Sequence, residues 1–318
     1  MPLYRRLPTL TQMRHLIAVS EHGHFGRAAE ACFITQSSLS ASIRELETTL
    51  GETLIERTRR SVMMTVLGLE TVNRAKNVIR DVEDIADLVS AAGAPLSGSL
   101  RLGIIPTIAP FLLPRVLPTL RAAYPELKLY LSEKQSAPLL DDLAAGNLDL
   151  LLLAFPYPCE KLKTFVFADD PFWVASPKGH LPIKKERLTR HDIAAENLLL
   201  LGEGHCLRDH ALSACGLAKQ HQGAEFQATS LQTLVQMVEG GLGVTLLPKM
   251  AIDAGITRGT SVVTRPLAGR AVGRQIGLAW RRTSSRAADF TLLAGFFRDE
   301  LATPLNNYVS CPLNYLLN

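Results

Sequence analysis

No window of this 318-residue chain approaches an uncharged run of membrane-spanning length, which excludes a helical membrane span. The opening stretch, MPLYRRLPTLTQMRHL, carries basic residues but lacks the apolar segment of a signal peptide, so the protein is expected to stay in the cytoplasm. Cysteine is sparse. Five residues do not make a disulfide framework, and in a reducing compartment they are expected to be free thiols unless they have redox or metal chemistry. Low-complexity repeats are absent, and 47% hydrophobic against 20% charged residues excludes wholesale disorder. Lys and Asp are missing from residues 1–60, which hold eight Arg and six Glu. Three of those arginines, Arg57, Arg59 and Arg60, are gathered where guanidinium groups would suit phosphate, although such a cluster alone reads first as a solvated loop.

The length calls for two or three domains. From Thr11 to Ser20, the residues Met13, Leu16, Ile17 and Val19 fall at near-helical spacing, with Thr9 or Thr11 as the cap. His22-Gly23-His24 interrupts this helix, Phe25 to Ala31 reads as a short second one, and Phe33-Ile34-Thr35 makes the next turn. A third helix begins near Gln36. Its apolar positions Leu39, Ile43, Leu46 and Leu50 form one stripe, and Gln36, Ser37, Ser38, Ser40, Ser42, Arg44 and Glu45 lie opposite, with Gly51 as the stop. Three short helices followed by a two-stranded arm over 52–65 predict a winged helix-turn-helix, whose slim, hydroxyl-rich third helix suits a DNA major groove. Periodicity alone also allows a generic helical bundle.

Leu67 to Ala92 predicts one long polar helix. Its stripe Val78, Val82, Ile85 and Val89 is too narrow for a core of its own and should pair with another helix, giving a dimer. The small residues from Ala91 to Gly98 make a linker. From Leu100 strands alternate with helices: 100–105, 109–124, 127–131, 139–146 and 148–154, then 198–201, 207–217, 226–229, 231–239 and 244–247. That order predicts an α/β fold of two doubly wound subdomains with parallel sheets and a cleft between them. The apolar stretch from Leu148 to Phe155, interrupted by Asp149, reads as a buried strand.

Four segments go further: Phe25 to Ala29 as an F-x-x-A-A element, Thr35-Gln36-Ser37-Ser38-Leu39-Ser40, Ile43 to Leu50, and Leu54 to Gly68. On these residues the first 70 positions resemble the LysR family of transcriptional regulators. The likeness departs at Ala41, where the family commonly places Arg, so one DNA contact is missing or moved. The later half is similar too, at Glu239 to Pro248, whose glycines read as turn-formers rather than a phosphate loop. Gly98 to Pro110, Glu133 to Leu140, Gly202 to Asp209, Cys215 and Ala228 to Leu234 resemble the hydrogen-peroxide-sensing branch of that family. The likeness runs to about residue 300.

The resemblance implies a winged helix-turn-helix over 1–66, a linker helix and hinge over 67–97, a redox-sensing regulatory domain of two periplasmic-binding-protein-like α/β subdomains over 98–305, and a tail over 306–318. DNA would be met by Thr35, Gln36, Ser37, Ser38, Ser40, Arg44, Arg57, Arg59 and Arg60. The implied partners are double-stranded promoter DNA, hydrogen peroxide, RNA polymerase, a cytosolic thiol reductant and further copies of the chain in a homotetramer. The implied output is activation of antioxidant genes, with no cofactor, no metal and no enzymatic turnover.

Two cysteines nine positions apart are, as spacing, more often packed thiols than a redox pair. The resemblance makes Cys206 the peroxidatic thiol and Cys215 the resolving one, with Thr107, Ser136, His205 and Arg274 around the peroxide. At 136 the family usually shows Thr, and Ser keeps the hydroxyl. Cys206 falls at an expected helix start, where backbone N–H groups and the dipole favour a thiolate, with Arg208 close in sequence. Cys32 reads as a core residue, and Cys159 and Cys311 have no recognisable context. His205, Cys206, His210 and Cys215 fit no common zinc spacing. Three alternatives remain at this stage. One is a LysR-type regulator that binds a small organic anion in the cleft. Another is a thiol peroxidase, and the third is a solute-binding protein, which would need an export signal.

Overall fold

The computed structural model describes residues 7–57, 62–90, 94–180, 185–194, 196–217, 227–269 and 272–302. They form two compact units, one comprising the chain up to Ala94 with Asp141–Leu148, the other Pro95–Leu140 with the chain from Asp149 onward. No helix among the described residues is long and apolar enough to cross a membrane.

The first unit opens with α1 (Leu10–His22), where Thr9 is the cap: its hydroxyl accepts from the Gln12 N–H while the Gln12 side chain accepts from the Thr9 N–H. Gly23, at φ 58°, ends it, and α2 (Phe25–Ala31) follows, capped by Nδ1 of His24. The third helix, α3 (Gln36–Leu50), ends at Gly51. Leu16, Val19, Phe25, Ala28, Leu39, Ile43 and Leu46 interlock in one core, to which Leu54, Ile55 and Val72 are added; Leu50 is only half-buried. The arm is β1 (Ile55–Arg57) paired antiparallel with β2 (Val62–Met64). Glu47 ties α3 to it by accepting from the N–H groups of Leu54 and Ile55 at 2.9 and 3.1 Å. Next comes α4 (Val66–Ser90), packed on α1. Of its predicted stripe, Val78 and Ile85 are exposed and Val82 is half-buried. Cys32 caps α2 and is half-buried, outside the core, because its position follows the last helical turn; the core reading of it is corrected. Arg59, Arg60, Cys311 and the tail over 306–318 lie outside the described residues.

After α4 the chain forms β3 (Gly98–Ile104), α5 (Ala109–Ala123), β4 (Leu127–Glu133), α6 (Ser136–Ala145), whose residues from Asp141 onward are counted with the first unit, β5 (Leu150–Phe155) and β6 (Leu162–Ser176). After it come α7 (Arg190–Ile193), β7 (Leu200–Leu201), α8 (Cys206–Cys215), β8 (Gln227–Ala228), α9 (Leu231–Glu239) and β9 (Thr245–Pro248). The last described elements are α10 (Lys249–Asp253), β10 (Val263–Pro266), β11 (Gly273–Arg281) and α11 (Ala287–Ala302). The fold class matches the expected α/β pattern, and the parallel expectation holds for β3 with β4, β3 with β5, and β7 with β8. It fails for the main sheet as a whole. That sheet runs β10-β6-β11-β5-β3-β4, with β9 also on β6, and every pairing made by β6 and β11 is antiparallel. The reason is the length of β6: its first two thirds, to Pro171, pair with β11 and the remainder with β9 and β10, so one strand serves two groups of neighbours. Asp149, which interrupts the apolar run, is accounted for by the Arg101 N–H it accepts from at 2.9 Å, and all of β5 beyond it is buried.

Gly68 shows how tightly the wing meets α4: a Cβ there would lie 2.1 Å from the Leu54 carbonyl oxygen, which is backbone. Gly68→Ala is therefore expected to destabilise the first unit by about 2 kcal/mol or more. Its thermal transition should fall while that of the second unit stays in place, and an unchanged first transition would contradict the packing described.

Candidate functional site

Two helix starts meet in the second unit. Ser136 is the first residue of α6 and Cys206 the first of α8; both are buried, and the Ser136 hydroxyl donates to the Cys206 sulfur. The approach to α8 is fitted to its neighbour. Gln135 Nε2 donates to the Glu203 carbonyl at 3.3 Å, and a Cβ on Gly204, at φ 87°, would lie 2.4 Å from the Gln135 side chain. Only glycine meets both demands.

Beside Cys206 stands Arg274, whose side chain has no exposed surface. Nη1 donates to the Thr107 hydroxyl at 2.7 Å, Nη2 to the Thr107 carbonyl at 2.8 Å, and Nε to the Asp170 carboxylate at 3.0 Å. Asp170 in turn accepts from the Met250 N–H at 2.9 Å. The pairing is set by sheet register, since Arg274 on β11 lies directly across from Asp170 on β6. The structure thus gathers Thr107, Ser136, Cys206 and Arg274. His205 immediately precedes them as the N-cap residue of α8, making no side-chain capping bond, and burial lowers its pKa. Cys215 lies elsewhere, at the far end of α8.

Electrostatics correct the expected account of Cys206. Burial pushes its thiol above 9.0 and outweighs the hydrogen bond from Ser136, the charge of Arg274 and the local backbone N–H, all of which favour the thiolate; Asp209 opposes it. The helix-start effect is present but is not the dominant one. The nearby cation is Arg274, not Arg208, whose Nη1 reaches the Leu201 carbonyl at 3.4 Å instead. Sequence proximity misled because the side chain of Arg208 is drawn back toward β7.

Sequence reasoning missed Asp170, and weighed His210 only as a metal ligand. Asp170 was unreadable because neither β6 nor β11 was predicted. His210, on the buried side of α8, donates from Nε2 to the Pro156 carbonyl at 2.8 Å, pinning the middle of the helix to the chain after β5. Cys159 donates to the Tyr157 carbonyl at 3.2 Å. A cavity of about 850 Å³ is lined by Phe155, Trp173, Arg187, Lys249, Asp170 and Arg274 among others, but not by Cys206, Thr107 or Ser136. No cluster of three or more potential metal ligands exists among the described residues.

On α3, Gln36, Ser37, Ser38 and Arg44 are exposed and Ser40 is half-buried. Thr35 is the cap: its hydroxyl accepts from the Ser38 N–H at 3.2 Å and bonds the hydroxyls of Ser37 and Ser38. Arg44 reaches back to the Ser40 carbonyl at 3.2 Å, and Arg57 ends β1.

A helix-turn-helix unit joined to a two-lobed α/β unit is the layout of a DNA-binding transcriptional regulator. Residues 10–69 match the family described as bacterial regulatory helix-turn-helix protein, lysR family, and residues 93–302 match the LysR substrate binding domain. The chain belongs to the LysR family. It is 43% identical over 298 residues to the probable hydrogen peroxide-inducible genes activator of Streptomyces viridosporus, covering 93% of this chain and 96% of that one. Full-length OxyR of Pseudomonas aeruginosa, a cysteine-to-aspartate variant, is similar at TM-score 0.75 and 34% identity, over 92% of this chain and 98% of the other. A hydrogen-peroxide-bound cysteine-to-serine mutant of Corynebacterium glutamicum OxyR gives TM-score 0.64 and 34% identity, over 94% of each chain.

Two outcomes are expected. Asp170→Ala leaves the Arg274 guanidinium buried without its carboxylate and should cost about 3–5 kcal/mol, seen as an earlier calorimetric transition of the second unit. Burial pushes the Cys215 thiol from 9.0 up to about 11, against a smaller pull from Arg190. The folded chain holds this proton more tightly than the unfolded chain, so the associated stability is complete below pH 9 and is lost as pH rises through 11. Melting curves of Cys215→Ser should accordingly decline less steeply than wild type over that window.

Proposed function

We propose that this chain is a cytoplasmic peroxide-responsive transcriptional activator in which Cys206 is the peroxidatic thiol and Cys215 the resolving one. The observation that carries this reading is the meeting of the buried Cys206 sulfur with a donating Ser136 hydroxyl and the fixed Arg274–Thr107 pair, while a second free thiol ends the same helix. The names of its relatives support the oxidant: a hydrogen peroxide-inducible activator and a peroxide-bound OxyR.

Attack of the Cys206 sulfur on one peroxide oxygen breaks the O–O bond, giving a sulfenic acid and water. Ser136 and Arg274 favour the developing thiolate. Thr107 and neutral His205 are suited to donate toward the departing oxygen. The Cys215 thiol then condenses with the sulfenic acid, releasing a second water and leaving a disulfide.

That second step has a geometric consequence. Nine rises of an α-helix separate the Cα atoms of Cys206 and Cys215 by roughly 13 Å. A disulfide requires about 4.4 to 6.8 Å. Helix α8 must therefore open, with loss of the His210–Pro156 bond at its centre. Refolding of this segment would change how protomers of a tetramer pack through their α4 stripes and regulatory domains, and so the spacing of their recognition helices on promoter DNA and access of RNA polymerase. A cytosolic thiol would reset the switch.

In this reading residues 1–66 bind DNA, with Thr35, Gln36, Ser37, Ser38, Ser40, Arg44, Arg57, Arg59 and Arg60 at the interface. Residues 67–97 link and dimerise, and 98–305 sense the oxidant. The cavity beside Arg274 would suit the alternative, a small organic anion, but such a ligand would not line up with Cys206.

The test is a brief peroxide pulse followed by thiol trapping and mass spectrometry. Cys206 should be the first cysteine modified and Cys206–Cys215 the accumulating disulfide. Cys206→Ser should abolish the change in DNA gel shift, whereas Cys215→Ser should retain sulfenic acid without a lasting disulfide. An unmodified Cys206 at low peroxide would sink the reading.

A further inference from the structure

Among the described residues, Phe33 is the most exposed large apolar side chain, at 95%, and it sits at φ 57° in the left-handed region. The hydrogen bonds around it define a Schellman motif: the Phe33 N–H donates to the Glu30 carbonyl and the Ile34 N–H to the Ala29 carbonyl, each at 3.0 Å. Ile34 packs against the core of the unit, as the motif's apolar contact requires. Phe33 occupies the position where glycine or asparagine is favoured, because a Cβ is strained there. An aromatic ring at this point gains nothing from the fold. It is strained in backbone and bare in side chain.

Its neighbours indicate what covers it. Phe33 lies two residues before Thr35, the cap of α3, and leads directly into the exposed run Gln36, Ser37 and Ser38 that the helix-turn-helix presents. We propose that Phe33 is a DNA-contacting residue whose ring packs on the deoxyribose faces, or a thymine methyl, of the duplex strand flanking the α3 entry point. The contact is apolar and releases no counterion. This inference rests on the first unit being the DNA-binding unit and adds a contact class that its polar and basic residues do not supply.

The experiment uses the full chain and a labelled duplex recovered from a random pool by the wild-type protein. Phe33→Asn and Phe33→Gly relieve the left-handed strain, and Phe33→Tyr keeps the ring. Both strain-relieving variants should melt at or above the wild-type temperature yet bind the duplex about tenfold more weakly. The slope of log affinity against log salt should not change, and Phe33→Tyr should bind within about twofold of wild type. Wild-type affinity in Phe33→Asn would overturn the proposal. So would a lower melting temperature in both strain-relieving variants, which would make the ring structural, or a reduced salt slope, which would mean a phosphate contact had been disturbed. A change of oligomeric mass with intact DNA binding would assign the ring to a second copy of the chain and overturn the proposal as well. Failure of the wild-type chain to recover any duplex would remove the DNA-binding reading itself.

Discussion

A guanidinium with no exposed atom must have its donors satisfied inside the protein, and this requirement organises the second unit around Arg274. Three of its nitrogens are directed at Asp170 and at both oxygens of Thr107. These belong to β11, to β6 and to the chain leaving β3, while Asp170 also holds the first turn of α10 through Met250. One buried ion pair thus fixes the point at which the long strand β6 passes from one group of neighbours to the other. Such a pair need not raise net stability over an apolar substitute. What it supplies is a positive charge in a fixed place beside a buried sulfur.

The sulfur gains from that charge without being dominated by it. Burial holds Cys206 in the protonated form more strongly than Arg274 and Ser136 draw it toward the thiolate. A small uncharged oxidant that fits beside Ser136 and Thr107 would bring its own hydrogen-bonding groups to the pocket. In the proposed switch, selectivity lies with access and donor geometry more than with a standing thiolate, and the response lies with α8, whose length keeps the two thiols apart.

Both units leave some apolar side chains exposed, Tyr130 and Leu131 among them in the second, but the most exposed lie in the first. In the second, apolar side chains of α8, α9 and β9 interlock in a continuous core. The first leaves Phe33, Val66, Val78 and Ile85 bare on a single chain. For a narrow stripe on a long helix, a second helix is the natural cover. For a lone ring at the turn before α3, it is a nucleic acid.

Much of this was legible in the residues. Local chemistry set the three short helices, the cap at Thr9, the stops at Gly23 and Gly51, and the helix starting at Cys206, because period, capping hydroxyls and left-handed glycines act within a few positions of the chain; Thr35, read as part of a turn, proved to be the cap of α3. Sequence spacing also separates Cys206 from Cys215 once the segment is helical. What lies beyond reach of local pattern is pairing: β6 changes partners along its length and β11 is flanked by β5 and β6, so their antiparallel register and the Arg274–Asp170 contact it creates were settled only by the tertiary fold. The resemblance had named Arg274, but local pattern offered only Arg208 beside the sulfur, because a charge acts through distance in space and the chain brings residues 136, 206 and 274 together by packing alone.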